Sequence, residues 1–231
     1  MTPENDGDHP PEQIGPEPWQ RIRIAGTTLG EYRHICAFFH APEEEYRVLL
    51  PFIKEGFDRG EKAFHVVDPK QRDDHVRRIE SAGIDMSDVE ENGQFELRNW
   101  DEVYIGDGHF DQDRLLALVP AVLEDAKQRG FRLTRLVTHM EWALEDRPGV
   151  NDLVEFEAKL NLLPRFRDPV ICVYDLAKFG ADVVIDVMRT HPMIIIGGIL
   201  QENPFFVLPE EFLRELRERD SGANATRTRE R

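Results

Sequence analysis

The chain has 231 residues, with 45 acidic and 29 basic side chains, a formal net charge of -16 and a pI near 4.9. That balance argues against nucleic acid, whose phosphates need a basic face, and against an anionic membrane surface. No apolar run approaches the roughly 18 residues of a membrane-spanning helix, and the opening MTPENDGDHPPEQ lacks the basic flank and apolar core of a signal peptide, so a cytoplasmic setting is expected.

Residues 1–20, rich in proline and acid, are expected to be disordered. A single domain is expected over 21–219, and a disordered polar tail over 220–231. Arg21 to Tyr32 reads as a short strand or an edge hairpin around Gly26 and Gly30. His34 to Phe39 is the first core strand, and its alternation puts His34, Cys36 and Phe38 on one face. A helix follows from about Pro42 to Arg59, with Tyr46, Leu49, Leu50, Ile53 and Phe57 at helical spacing, Pro51 as a kink and Gly60 as a stop. Ala63 to Val67 is the second strand.

Lys70 to Ala82 reads as a charged helix, Phe95 to Arg98 as a strand and Gln112 to Arg129 as a helix. Leu136 to Trp142 is the fourth strand, Asn151 to Leu163 a helix, Val170 to Tyr174 the fifth strand and Lys178 to Arg189 a helix. Met193 to Leu200 and Phe205 to Val207 read as a strand hairpin turning at Gln201-Glu202-Asn203-Pro204, with Gly197-Gly198 marking close backbone packing inside the first strand. Glu210 to Arg219 is a last amphipathic helix. Strands alternating with helices in this way predict a three-layer α/β/α fold with a mostly parallel central sheet and a C-terminal strand hairpin.

In such sheets a ligand sits beyond the carboxyl end of the first strand, where a loop meets a helix. Here that loop, from His40 into Glu45, is acidic. The pattern FIKEGFDRGEKAFHVV resembles the first helix and second strand of the RecA/KaiC-like ATPases, whose helix opens with a phosphate-binding loop. The resemblance places Pro42, Glu43, Glu44, Glu45 and Tyr46 on that loop, with Glu44 at its last Gly, Glu45 at its Lys and Tyr46 at its Ser/Thr. Backbone N–H groups and one Lys must converge on phosphate there. Three carboxylates would repel it, so a degenerate P-loop is expected and ATP is not. A plainer use of the same carboxylates is to complement the positive end of the helix dipole.

Several polar residues stand on core strands. His34-x-Cys36 pairs an imidazole with a thiol, and Cys172-x-Tyr174 pairs a thiol with a phenol, with Asp175 at the strand's end. If these strands are neighbours, their polar groups converge. A soft metal would draw on His34, Cys36 and Cys172 with His139 or His191, although the spacing matches no established zinc pattern and cysteine is commonly buried for packing alone. Glu141 beside Trp142 reads either as a ligand contact or proton acceptor in a cleft, or as an ion-paired Glu and an edge-closing Trp. His191-Pro192 and Asn203-Pro204 bracket the last hairpin. His9, His40, His65, His75 and His109 read as surface or packing residues.

Taken together, His34-Ile-Cys36 with Phe38-Phe39, Glu55-Gly56 through Gly60-Glu61, Glu141-Trp142, Cys172-Val-Tyr174-Asp175, His191-Pro192 and Asn203-Pro204 resemble the MEDS domain, a DcmR-type sensory domain, over about residues 30 to 208. The resemblance implies a RecA/KaiC-like fold that has lost its ATP site and senses a small molecule of the hydrocarbon-derivative class. It maps ligand-facing positions onto His34, Cys36 and Cys172. With Glu141, Trp142, Tyr174, Asp175 and His191 they make the expected ligand-binding set, with no catalytic residue. Family members often carry a fused output module. None is expected here, so the signal would leave through a signalling protein partner or self-association, without nucleic acid. A residual hydrolase or divergent ATPase, and a ligand-free adapter, are the competing readings.

Overall fold

The computed structural model describes residues 21–163 and 167–229, so the expectations for residues 1–20, and for His9 among them, lie outside the described residues. An antiparallel hairpin, β1 (Arg23–Ile24) and β2 (Thr27–Thr28), precedes the main sheet. Then come β3 (His34–Phe39), α1 (Pro42–Asp58), β4 (Lys62–Val67), α2 (Arg72–Ser81), α3 (Met86–Glu91), β5 (Phe95–Asn99), α4 (Trp100–Tyr104) and α5 (Gln112–Gln128). The second half holds β6 (Thr134–His139), α6 (Leu153–Leu160), β7 (Val170–Asp175), α7 (Ala181–Thr190), β8 (Met193–Ile196), β9 (Ile199–Glu202) and α8 (Pro209–Arg229). The seven-stranded sheet runs β5-β4-β6-β7-β3-β8-β9, parallel throughout except for β9 against β8.

Both faces of this sheet are covered, which is why β3, β4 and β6 are buried along their whole length. One face carries Ile35, Ala37, Phe39, Val137 and Ile171 against α1, α2, α3 and the β1–β2 hairpin. The other carries Cys36, Phe38, Leu136, Cys172 and Tyr174 against α4, α5, α6 and α7. Outside α6, Phe212 and Leu213 of α8 pack on Ala158.

Local chemistry explains the boundaries. Pro42 sits in the first turn of α1, where its missing N–H costs nothing, and Glu43, Glu44 and Glu45 complement the helix dipole. Gly60, at φ 67, supplies the left-handed residue that ends it. Asp111 caps α5 by accepting from the N–H groups of Asp113 and Arg114.

Four expectations need correction. The C-terminal hairpin turns at Gly197-Gly198, with φ of 58 and 76, and not at Gln201 to Pro204. Two consecutive positive φ values make the type I′ turn that matches strand twist, and glycine adopts them at no steric cost. Phe205 to Val207 is not a strand. The fourth core strand ends at His139, so Glu141 and Trp142 lie in a 3-10 turn, Glu141–Leu144. Finally, α8 continues its backbone helix through most of the stretch expected as a tail.

Candidate functional site

β3 and β7 are neighbours in parallel register, with Cys36 opposite Cys172 and Phe38 opposite Tyr174. Their polar side chains therefore share the face under α6, where a carboxylate meets them. Glu157 is 0 % exposed. Its Oε2 lies 3.1 Å from His34 Nε2, 3.5 Å from His191 Nε2 and 3.7 Å from Cys172 Sγ, and its Oε1 accepts from the Tyr174 hydroxyl at 2.5 Å. The two imidazole rings stand 4.0 Å apart.

Each member is positioned by its element. His34 opens β3, Cys172 and Tyr174 alternate on β7, and Glu157 shares the buried stripe of α6 with Leu153, Phe156 and Leu160. His191 ends α7, where Asn203 fixes the chain by donating from Nδ2 to the carbonyls of Met188 and His191. Thus Asn203-Pro204 serves the site from a distance. Asn161, at the end of α6, donates to the Glu157 and Thr190 carbonyls and presents its Oδ1 to His34 Nδ1 at 3.1 Å.

Burial alone would push the Glu157 carboxyl up, but His191, then His34 and the Tyr174 hydroxyl, hold its pKa at about 2. Burial and the facing His34 push His191 down to about 3, against the attraction of Glu157. Burial, then the Glu157 carboxylate, pushes the Cys172 thiol well above its ordinary range. Cys36 stands apart, since its thiol points at the Met193 carbonyl at 3.7 Å.

Two spaces flank the cluster. On the amino-terminal side a surface pocket of about 210 Å³ reaches His34 and Asn161 between Tyr32, Leu160, Pro192 and Phe206. On the other side a small, almost wholly apolar cavity of about 40 Å³ touches Cys172, with Phe64, Leu136, Val119 and Phe156 among its walls. Tyr104 and Thr138, whose hydroxyls hydrogen-bond each other at 2.7 Å, are among its lining residues.

The residues expected to form one ligand-binding set are therefore divided between places in the fold. His34, Cys172, Tyr174 and His191 gather around Glu157, with His34 at the amino end of its strand. Glu141 and Asp175 instead share Lys178 at the carboxyl end, at 3.2 and 3.3 Å. Trp142 is fully buried and stacks between Tyr104 and Phe110, with ring centroids 4.6 and 4.4 Å away, as a core residue.

The acidic loop is also committed. Glu43 pairs with Arg78, and Glu44 accepts from the His40 N–H at 2.9 Å. Glu45 is buried against His139, Nε2 to Oε1 at 3.0 Å. Burial would lower the His139 pKa, yet Glu45 raises it to about 9. Next to it Tyr46 hydrogen-bonds His75 at 2.5 Å, and His75 bonds His65 at 2.9 Å. His65 and His75 are thus buried members of a polar network on the opposite face of the sheet, while His40 and His109 are exposed.

Glu157 was the residue missed by pattern reading. Its signal is an acid within Leu153-x-x-Phe156-Glu157-x-x-Leu160, a position that helical periodicity assigns to the core.

Comparison with known proteins places these features. Over 173 residues the chain is 22% identical to the transcriptional repressor DcmR of Methylorubrum extorquens (strain DSM 6343 / CIP 106787 / DM4), a match covering 74% of this chain and 62% of the repressor. The chain thus spans under two thirds of that relative's length. A KaiC-like protein from the hyperthermophilic archaeon Pyrococcus horikoshii OT3 superposes with a TM-score of 0.51 at 18% identity, covering 74% of this chain and 73% of that one, so the fold is KaiC-like and RecA-like. Residues 33–192 match the family described as the methanogen/methylotroph, DcmR sensory domain, and because that match takes in most of the sequence, including the whole cluster around Glu157, the chain belongs to the MEDS family.

Proposed function

We propose that this sensory domain, without catalysing a reaction, binds an uncharged hydrocarbon derivative of one or two carbons in the cavity beside Cys172. The observation that carries the reading is the cavity itself, apolar and about 40 Å³ in volume, set against a buried polar cluster. One water needs roughly 10–15 Å³ of such space, so the cavity admits two or three non-hydrogen atoms. An apolar lining favours a hydrocarbon portion. The Tyr104–Thr138 hydroxyl pair and the Cys172 thiol offer the polar contacts that orient one substituent.

In this reading His34, Cys172, Tyr174 and His191 support the site together with Glu157, and Cys36, Glu141, Trp142 and Asp175 shape the fold around it. The N-terminus of α1 takes no phosphate, because Glu43, Glu44 and Glu45 stand there and each already has a partner. The domain works in the cytoplasm, where its two free buried thiols stay reduced. Its output passes to a signalling protein or to a second copy of the chain. Among the described residues no helix is long and apolar enough to cross a membrane.

The test is ligand-dependent stabilisation. A compound that binds only the folded state at 100 times its Kd adds about 2.7 kcal/mol. Chloromethane or ethanol-sized probes should raise Tm in the wild type. Val119→Phe, which fills the cavity from α5, should remove that increment. Equal increments in both proteins would reject the site.

A further inference from the structure

We propose that His34, Glu157, Cys172 and His191 form a binding site for one divalent cation of borderline softness, with zinc the best fit. This goes beyond the sensory reading and does not depend on it. The four donor atoms all lie within 4.8 Å of one another. Tetrahedral zinc, with bonds of about 2.0–2.1 Å to nitrogen and oxygen and about 2.3 Å to sulfur, puts its donors about 3.3–3.6 Å apart. Here the His34–Glu157, His191–Glu157, His34–Cys172 and Glu157–Cys172 separations are 3.1, 3.5, 3.6 and 3.7 Å. The set is of metal-centre size before any ion is added.

The hydrogen bonds behind the donors point the same way. Asn161 spends both amide hydrogens on the Glu157 and Thr190 carbonyls, so its Oδ1 faces His34 and can only accept, from Nδ1–H. His191 Nδ1 lies 2.8 Å from the Val187 carbonyl, which likewise can only accept. Both imidazoles therefore hold their proton on Nδ1 in the neutral state and turn Nε2 lone pairs toward a carboxylate. His191 Nε2 is buried without a hydrogen bond, 3.5 Å from the Glu157 carboxylate, and either a proton or a cation between them would satisfy both groups. A ligating histidine whose other nitrogen donates to a carbonyl or amide oxygen is the usual support of a metal ligand. The Tyr174 hydroxyl does the same for Glu157 through its second oxygen.

Charge closes the argument. A divalent cation bound by one carboxylate, one thiolate and two neutral imidazoles is electroneutral, so the buried site carries no net charge. On binding, the Cys172 sulfur bonds the ion and its proton leaves to the buffer. His34 and Asn161 line the surface pocket, which gives the ion its route in.

The test is titration of the full chain, stripped with chelator, using Co²⁺ as a coloured stand-in for zinc. We expect tetrahedral d–d bands and a sulfur-to-cobalt charge-transfer band, saturating at one equivalent and displaced by zinc. The sequence has only two cysteines, so a charge-transfer band in Cys36→Ala comes from Cys172 alone. Asn161→Ala should weaken binding 10–100-fold with the band retained. Absence of a saturating band in the wild type, or its loss in folded Cys36→Ala, overturns the proposal and leaves the four groups held by protons alone. No organic ligand is present in this titration, so its failure and that of the cavity reading are separate results.

Discussion

Replacing Glu45 by Gln should change how stability depends on alkaline pH, because Glu45 is what keeps buried His139 charged. In the folded chain the His139 pKa is raised to about 9, against about 6.5 unfolded. A raised folded value means the contribution is fully present below pH 6.5, declines between 6.5 and 9 and is gone above 9. The difference corresponds to about 3 kcal/mol of stability. The buried thiols of Cys36 and Cys172 also lose stability as unfolded cysteines ionise near pH 8.5, but they do so equally in both proteins. Urea unfolding of wild type and Glu45→Gln from pH 6 to 9.5 isolates the pair. The gap between the two curves should be largest at pH 6 and shrink by about 3 kcal/mol by pH 9.5. A gap that stays constant or widens would refute the assignment of the charge to His139.

Two further substitutions test the framework. Gly56→Ala should destabilise by about 2 kcal/mol despite a helix-propensity gain of about 1, since its Cβ would stand 2.8 Å from Arg135 Cδ and 2.9 Å from Nε. Arg135 cannot easily yield, being buried and held by Glu61 at 2.6 Å, by Glu55 and by the Phe52 carbonyl. A neutral or stabilising result in denaturant would show that it does yield. Tyr174→Phe deletes the donor to buried Glu157 and should cost about 2 kcal/mol in the chelator-treated chain, whereas an unchanged unfolding midpoint would mean Glu157 finds its partner elsewhere.

The frame was legible wherever burial and period agreed. β3, β4 and β7 are short apolar runs between turn signals, and α1 announces itself by Pro42, three acids and helical spacing. The last hairpin was misread because Ile194 to Ile196 and Ile199 to Leu200 form one apolar stretch, and hydrophobicity does not register the positive φ of Gly197 and Gly198. Asn203-Pro204 gave a strong turn signal of its own, yet Asn203 acts as a latch on His191.

The site was half legible for a related reason. Alternation put His34, Cys172 and Tyr174 on one face, but nothing local in the sequence says that β3 and β7 pair or that α6 lays a carboxylate across them. Glu157 becomes visible only when one asks why an acid occupies an apolar stripe. The partners of Glu45 and His75, which are His139 and Tyr46, were equally out of reach of the sequence because tertiary packing supplies them.

The central claim is a small ligand in the cavity beside Cys172, and a melting series with homologous alkyl probes of one to six carbons tests it most directly. Stabilisation should peak at one or two carbons and disappear by four, because the space is only about 40 Å³. Stabilisation that rises steadily with chain length would place the probes on the surface and contradict the claim.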